Sequence, residues 1–106
     1  MGILDTSAYA AGKAALRSMA RSLSRELLPR GIRVNAISPG PIDTGTLENT
    51  MSKEAAEEFM AQRLAANPMH RFGTPDEVAR AAAFLAFDAT YTTGAELAVD
   101  GGTTQL

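Results

Sequence analysis

A tyrosine and a lysine four residues apart, Tyr9 and Lys13, have the types and spacing that fit acid/base chemistry. On a helix, residues at this spacing lie one turn apart on the same face, so their side chains can converge. A phenol with its usual pKa of about 10 carries protons poorly at neutral pH, and a nearby ammonium favours the phenolate and lowers that pKa. The same spacing occurs by chance in many helices, so the pair taken alone fits a surface contact better than a catalytic pair.

The segment that carries this pair is predicted to form a helix over residues 7–28, because it contains no proline and is rich in Ala, Leu, Met and Arg. The arginines at 17, 21 and 25 follow one face and fit solvated charge. Pro29 and Gly31 are expected to end the helix. Other faces carry small residues suited to close packing and apolar residues at helical spacing, namely Ala8, Ala11, Gly12, Ala15, Leu16, Met19, Ala20, Leu23 and Leu27.

Residues 32–38, with the sequence IRVNAIS, are predicted to form a strand buried on both faces, because Ile37 breaks an otherwise alternating pattern. The following stretch, SPGPIDTGTLENT, has the composition of a loop. A helix followed by a strand is half of a βαβ unit, whose crossover needs an earlier strand. The sequence therefore indicates part of a larger fold.

The remaining chain predicts two helices and a strand. A helix over 52–66 has a narrow apolar face. The next helix, ending near residue 87, begins with Thr74 as N-cap, Pro75 at the first position and Glu77 closing a capping box. A strand over 96–99 precedes Asp100 and two glycines. The predicted fold is α/β, the C-terminal part of a doubly wound parallel sheet in the order helix, strand, two helices, strand, with residues 1–106 as one domain portion.

Composition excludes several classes of protein. The formal charge of -2 provides no basic field for nucleic acid. The absence of cysteine excludes disulfides and a thiol nucleophile, and it fits a reducing cytoplasm. No basic segment followed by an apolar one begins the chain and no long apolar run occurs, so a cytoplasmic protein without membrane contact is expected. His70, the single histidine, fits a surface loop, and no cluster suggests a metal.

Four blocks of sequence resemble segments of the short-chain dehydrogenase/reductase family. They are YAAGKAAL from Tyr9, GIRVNAISPGPIDT from Gly31, RFGTPDEVARAAAFLA from Arg71 and TTGAELAVDGG from Thr92. They occur in the family's order and at matching separations, which makes a chance match very improbable. The chain thus resembles the C-terminal half of that family's NAD(P)-binding Rossmann-fold domain.

The resemblance implies an oxidoreductase that moves hydride between NAD or NADP and an alcohol or carbonyl substrate. Tyr9 would exchange a proton with the substrate oxygen. Lys13 would lower the pKa of Tyr9 and bind the nicotinamide ribose, so both residues would also contact the cofactor.

The loop after the first strand would bind the nicotinamide end of the cofactor. Pro39 and Gly40 match the family's Pro-Gly turn, where a missing Cβ lets the main chain approach the nicotinamide. Ile42 would offer its backbone to the carboxamide, and Thr44 its hydroxyl to the carboxamide or the pyrophosphate. Without the resemblance, this loop reads as an ordinary Pro/Gly connection.

Two features of the family are absent from the sequence. No Gly-x-x-x-Gly-x-Gly pattern occurs, so the pyrophosphate and adenosine of the cofactor have no expected site. The family's substrate-polarising Ser and catalytic Asn would both precede Met1, and Ser7 fits a helix-start serine instead. We therefore expect the isolated chain to be inactive and to bind dinucleotide weakly.

Two interpretations of the chain stay open. The first is part of an enzyme that needs a complementing N-terminal half. The second is a non-catalytic truncated remnant, or an oligomerisation or interaction module. Because the final strand can pair with only one edge of the first, the sequence also predicts a homo-oligomer. The choice between NAD and NADP and the identity of the substrate have no recognisable signal.

Overall fold

The computed structural model describes residues 7–44 and 52–106. Its elements follow the predicted order of helix, strand, two helices and strand, which confirms the α/β fold class. They are α1 (Ser7–Leu27), a 3-10 turn (Leu28–Arg30), β1 (Ala36–Pro39), α2 (Lys53–Ala66), α3 (Pro75–Ala83) with a π-helical turn (Phe84–Asp88), and β2 (Glu96–Val99).

The end of α1 confirms the stop that the sequence predicts. Pro29 lies inside the 3-10 turn, where its missing N–H has no helical partner to lose. Gly31 ends the turn with a φ of 72°, a left-handed conformation that glycine adopts without a Cβ clash. Its N–H donates to the Leu28 carbonyl at 2.9 Å. The chain therefore leaves the helix within one residue of the expected position.

The two strands form a parallel sheet in which Ala36 pairs with Glu96 and Pro39 with Val99. The bounds of β2 confirm the prediction, and within the described residues β2 is the partner of one edge of β1. The prediction that the first strand begins at residue 32 is wrong, since β1 covers four residues from Ala36.

Side chains replace the regular ladder before β1. The Asn35 amide donates to the Thr92 carbonyl at 3.1 Å and accepts the Ala95 N–H at 3.0 Å. The Val34 N–H donates to the Thr93 hydroxyl at 3.1 Å. Because side-chain groups take the places of backbone partners here, the segment is extended without being a regular strand.

Arg33 holds the far end of the α3 region against this segment. Its guanidinium donates to the carbonyls of Leu85, Ala86, Ala89 and Thr92 at 2.7, 2.9, 2.9 and 3.2 Å. The predicted helix to residue 87 is here an α-helix to Ala83 followed by a π-helical turn to Asp88. Carbonyls at a helix C-terminus lack helical donors, and Arg33 supplies them.

The helix N-termini agree with the sequence pattern. The Thr74 hydroxyl accepts the Glu77 N–H and the Glu77 carboxylate accepts the Thr74 N–H, which confirms the predicted capping box. The Ser52 side chain accepts the Ala55 N–H, so α2 begins one residue later than expected. These caps are encoded within three residues, and a local signal suffices to predict them.

The fold is open rather than closed around a core. The buried residues of the described chain are few and small or polar apart from Leu85, namely Ala56, Leu85, Ala89, Ser24 and Asn67. Leu16 and Met19 on α1 are each 52% exposed. The radius of gyration is 16.2 Å, against about 13 Å for a compact domain of 100 residues. Helix α1 therefore presents apolar surface that the described part of the chain does not cover. No helix among the described residues is long and apolar enough to cross a membrane.

Candidate functional site

A cleft of about 750 Å³ separates α1 from one face of the sheet and reaches the carboxyl end of β1. Lys13 and Leu16 line its helix side, Ser38 and Pro39 line its strand side, and Gln105 near the C-terminus also lines it. In open α/β sheets, ligands bind at the carboxyl ends of the strands. The cleft thus lies where the fold places a ligand, and it brings together Lys13 and Pro39 of the predicted site.

Tyr9 lies in the first turn of α1, four residues and about 6 Å of helix rise before Lys13. Its side chain falls outside the part of the chain that the structure describes, so the convergence of the two side chains stays a prediction. Lys13 is exposed and faces the cleft. The helix backbone therefore provides the spacing that the predicted acid/base pair needs.

Gly40 directly follows β1 and touches the end of β2. Its N–H donates to the Val99 carbonyl at 2.9 Å. A Cβ at position 40 would lie 2.7 Å from the Asp100 Cα, a distance that side chains do not tolerate. Glycine is required here by the neighbouring backbone, a reason that the sequence alone did not indicate. Its predicted contact with a nicotinamide stays a prediction.

Ile42 is held by a parallel bridge to Gly73, in the loop before α3. The Gly73 N–H donates to the Pro41 carbonyl at 2.9 Å, and the Asp43 N–H donates to the Gly73 carbonyl at 3.0 Å. Because peptide groups alternate along an extended segment, the N–H and carbonyl of Ile42 itself point away from Gly73. The bridge therefore orients the two backbone groups to which the family resemblance assigns the carboxamide. Thr44, two residues on, is exposed.

An ion pair beside Gly73 fixes this loop. Two nitrogens of the Arg71 guanidinium donate to the two oxygens of the Glu77 carboxylate, both at 2.9 Å. The hydrogen bonds that the Glu77 carboxylate accepts from Arg71 and from the Thr74 N–H lower its pKa to about 2. The sequence predicted the capping role of Glu77 but not its partner, because Arg71 lies before the helix.

A second network joins the end of β2 to the loop after α2. The Asn67 amide, only 3% exposed, donates to the Asp100 carbonyl at 3.1 Å and to the Thr103 hydroxyl at 3.2 Å. The Thr104 hydroxyl and then the Gly102 N–H lower the pKa of Asp100. These bonds hold the Asp100 backbone against Gly40. Sequence reasoning missed Asn67, although an Asn-Pro pair after a helix is a turn signal.

The prediction that Arg17 is only solvated charge is wrong. Its Nη1 contacts the Glu96 Oε1 at 3.2 Å, and the Ser38 hydroxyl donates to the same oxygen. The contact joins residues 79 positions apart in the sequence, which is why helix periodicity did not find it. A glutamate inside the apolar strand ELAV was the available signal. His70 is exposed, as predicted.

Comparisons with known proteins agree with this fold. A protein-family model described as enoyl-(acyl carrier protein) reductase matches residues 1–104. The 2-(S)-hydroxypropyl-CoM dehydrogenase 3 of Xanthobacter autotrophicus is 41% identical over 108 residues, covering 100% of this chain and 42% of that protein. The chain belongs to the short-chain dehydrogenase/reductase family.

Two further relatives define the extent of the match. The inactive 2-(S)-hydroxypropyl-CoM dehydrogenase 2 of the same organism is also 41% identical, over 100% of this chain and 47% of that protein. The crystal structure of a short chain dehydrogenase family protein from Francisella tularensis superposes with a TM-score of 0.86 at 27% identity, covering 100% of this chain and 47% of that one. The chain spans less than half the length of each of these relatives.

Proposed function

We propose that this chain provides the acid/base pair and the nicotinamide-side contacts of an NAD(P)-dependent oxidoreductase that interconverts an alcohol and a carbonyl compound. The observation that carries the proposal is the bridge that orients the Ile42 peptide groups three residues after Pro39, which ends β1 and lines the cleft together with Lys13. Membership of the family supplies the reaction class.

In the direction of reduction, Tyr9 donates its hydroxyl proton to the carbonyl oxygen while that carbon accepts a hydride. The reduced nicotinamide cofactor, when bound, supplies that hydride. Lys13 stabilises the phenolate that remains and binds the ribose hydroxyls. Ile42 holds the carboxamide through its N–H and carbonyl, and Pro39, Gly40 and Thr44 shape the adjoining surface.

The residues for the rest of the cofactor are to be sought outside these 106 residues. The sequence has no glycine-rich pyrophosphate turn. We infer that the isolated chain is inactive and that its partner is a complementing N-terminal half or a second copy. The exposed Leu16 and Met19 on α1 support such a partner, because apolar surface of this kind favours association.

A non-catalytic interaction module is the second candidate. One relative at 41% identity is named a dehydrogenase and another at 41% is named inactive. Identity over this region therefore does not distinguish an active protein from an inactive one. The distinction depends on whether Tyr9 is needed for turnover once the rest of the fold is present.

A chimera tests the proposal. This chain replaces the corresponding C-terminal segment of the Xanthobacter dehydrogenase 3, and turnover is assayed with that enzyme's substrate and with small secondary alcohols, using NAD and NADP. We expect Tyr9→Phe to lower kcat by about 10² to 10⁴-fold with cofactor affinity nearly unchanged. Lys13→Ala should damage both kcat and cofactor affinity, because it is assigned two roles.

The matched control is Tyr91→Phe, which removes the same hydroxyl from a fully exposed tyrosine and should leave kcat unchanged. An active chimera whose kcat survives Tyr9→Phe would remove Tyr9 from the mechanism. A folded chimera that binds the cofactor without any turnover would favour the interaction module.

A further inference from the structure

Among the described residues, apolar packing contributes little to the position of α1 where the helix faces the cleft. Leu16 lines the cleft yet is 52% exposed, and Met19 is equally exposed. A cleft of about 750 Å³ separates the helix from the sheet. By contrast, α3 packs against both strands. Toward its C-terminus, α1 approaches Gly94 closely through the buried Ser24. Along the cleft, its position therefore depends strongly on its polar contacts.

One carboxylate joins three elements. The Glu96 Oε1 on β2 accepts from the Arg17 Nη1 on α1 at 3.2 Å and from the Ser38 hydroxyl on β1. In the strand register, Ala36 pairs with Glu96 and Ser38 with Ala98, so Glu96 and Ser38 are diagonal neighbours on one sheet face. That face is the one that lines the cleft.

The contact of Glu96 with Arg17 and Ser38 lies next to the proposed site along both α1 and β1. Tyr9, Lys13 and Arg17 are successive residues four apart, which places them along one side of α1. On the strand side, Ser38 directly precedes Pro39, where the proposed nicotinamide loop begins. The Glu96 carboxylate thus connects the helix side that carries the acid/base pair to the residue next to the loop.

We propose that Glu96 is a positioning residue, which sets the placement of α1, and with it Tyr9 and Lys13, relative to the loop of residues 39–44. The functional meaning rests on the proposed function, whereas the placement itself can be measured without activity. Displacements of about 1 Å at a catalytic group can cost about 10²-fold in rate, so a contact of this kind controls rate more than folding.

Exposure makes the contact sensitive to salt. The Arg17 and Glu96 side chains are 48% and 39% exposed, so salt ions reach them. Exposed pairs contribute little to folding stability. Weakening this one should therefore change the position of α1 and leave the fold intact.

The chain contains no cysteine, so two introduced cysteines can be spin-labelled without background. Ala11→Cys on α1 and Ala79→Cys on α3 are both exposed positions, and the distance between their labels reports the placement of α1. Pulsed electron paramagnetic resonance gives the width of that distance distribution. Far-UV circular dichroism checks that each variant retains its helices.

We expect Glu96→Gln and Arg17→Gln each to broaden the distance distribution at least about twofold. About 1 M NaCl should broaden it similarly in the protein that keeps both Arg17 and Glu96. Reversing the pair with Arg17→Glu and Glu96→Arg should restore the narrow distribution. Arg25→Gln, which removes a guanidinium two turns further along α1, is the control and should have no effect.

An unchanged width in the folded Glu96→Gln and Arg17→Gln proteins would overturn the proposal. Should Glu96→Gln fail to fold, Arg17→Gln, at the helix surface, decides alone. In the chimera, Glu96→Gln should lower kcat with a smaller effect on the cofactor KM, and the reversed pair should recover part of the loss. An inactive chimera would contradict the proposed function and leave the distance result standing.

Discussion

The segment before β1 and helix α1 are held in the fold by different means. Arg33 and Asn35 together make six hydrogen bonds to backbone groups between Leu85 and Ala95. Helix α1 instead meets this part of the fold through an exposed ion pair to Glu96 and a close approach of Ser24 to Gly94, and Leu16 and Met19 are each 52% exposed. Buried backbone carbonyls need hydrogen-bond donors, and the segment before β1 receives them from within the chain. Helix α1 needs a further surface to cover its exposed apolar side chains.

The largest expected effect comes from removing the side chain that holds the first region. Arg33→Ala removes the guanidinium donor from four carbonyls, although that of Ala89 keeps the Thr92 N–H and that of Thr92 keeps the Asn35 amide. We expect the free energy of unfolding to fall by about 3 kcal/mol, measured by urea denaturation. Arg33→Lys should recover less than half, because an ammonium cannot reproduce the planar set of donors. Arg30→Ala, at an exposed position, is the control, and an equal loss there would refute the role of Arg33.

The second effect is a change in the free energy of unfolding that should have opposite signs at two glycines. Gly40→Ala places a Cβ 2.7 Å from the Asp100 Cα, and we expect a loss of about 2 kcal/mol in the free energy of unfolding. Gly12→Ala on α1 meets no atom within 4 Å, so it should raise that free energy by about 0.5 to 1 kcal/mol. Equal effects at both positions would show that β1 and β2 do not approach as described.

The range of each contact along the chain explains which features the sequence could predict. The capping box at Thr74 and the stop at Gly31 depend on residues close in sequence, and both were predicted. The start of β1 was not, because Arg33 and Asn35 bond to residues more than 50 positions away. At the candidate site, the family resemblance assigned Lys13 and Pro39 to one cofactor site, and both line the same cleft. The Gly73 bridge and the Glu96 contact required the fold.

A third, smaller effect concerns the outer edge of β1, which pairs with no other strand among the described residues. The inner ladder uses the N–H groups of Ala36 and Gly40, so by alternation the N–H of Ile37 points to the outer edge. Pro39 has no N–H to offer there, which already weakens that edge. We propose that the isolated chain forms a homodimer through this edge, measured by light scattering after size exclusion.

Deleting the outward donor should weaken that dimer. Ile37→Pro should raise the dissociation constant about tenfold, or about 1.4 kcal/mol. Ile37→Ala, which keeps the donor and removes the side chain, is the matched control. A monomer at all concentrations would contradict strand pairing, and a dimer that both variants leave intact would indicate a contact through α1.

The smallest expected effect is a pH dependence of stability that comes from the Arg71–Glu77 ion pair in the loop that carries Gly73. Arg71 and the Thr74 N–H lower the pKa of Glu77 to about 2 from a reference value of 4.5. A carboxylate whose pKa is lowered by folding stabilises the folded state fully above its unfolded pKa, and this contribution is lost as the pH falls toward the folded value. The urea midpoint should therefore decline between pH 4.5 and about 2 more steeply than in Glu77→Gln, which has no proton to take up.

Glu58→Gln, at an exposed position on α2, is the control and should keep the full decline. Because the Arg71 and Glu77 side chains are 49% and 41% exposed, solvent screens the pair and the difference should be modest. Parallel pH curves for the unaltered chain and Glu77→Gln would show that the ion pair does not hold the loop.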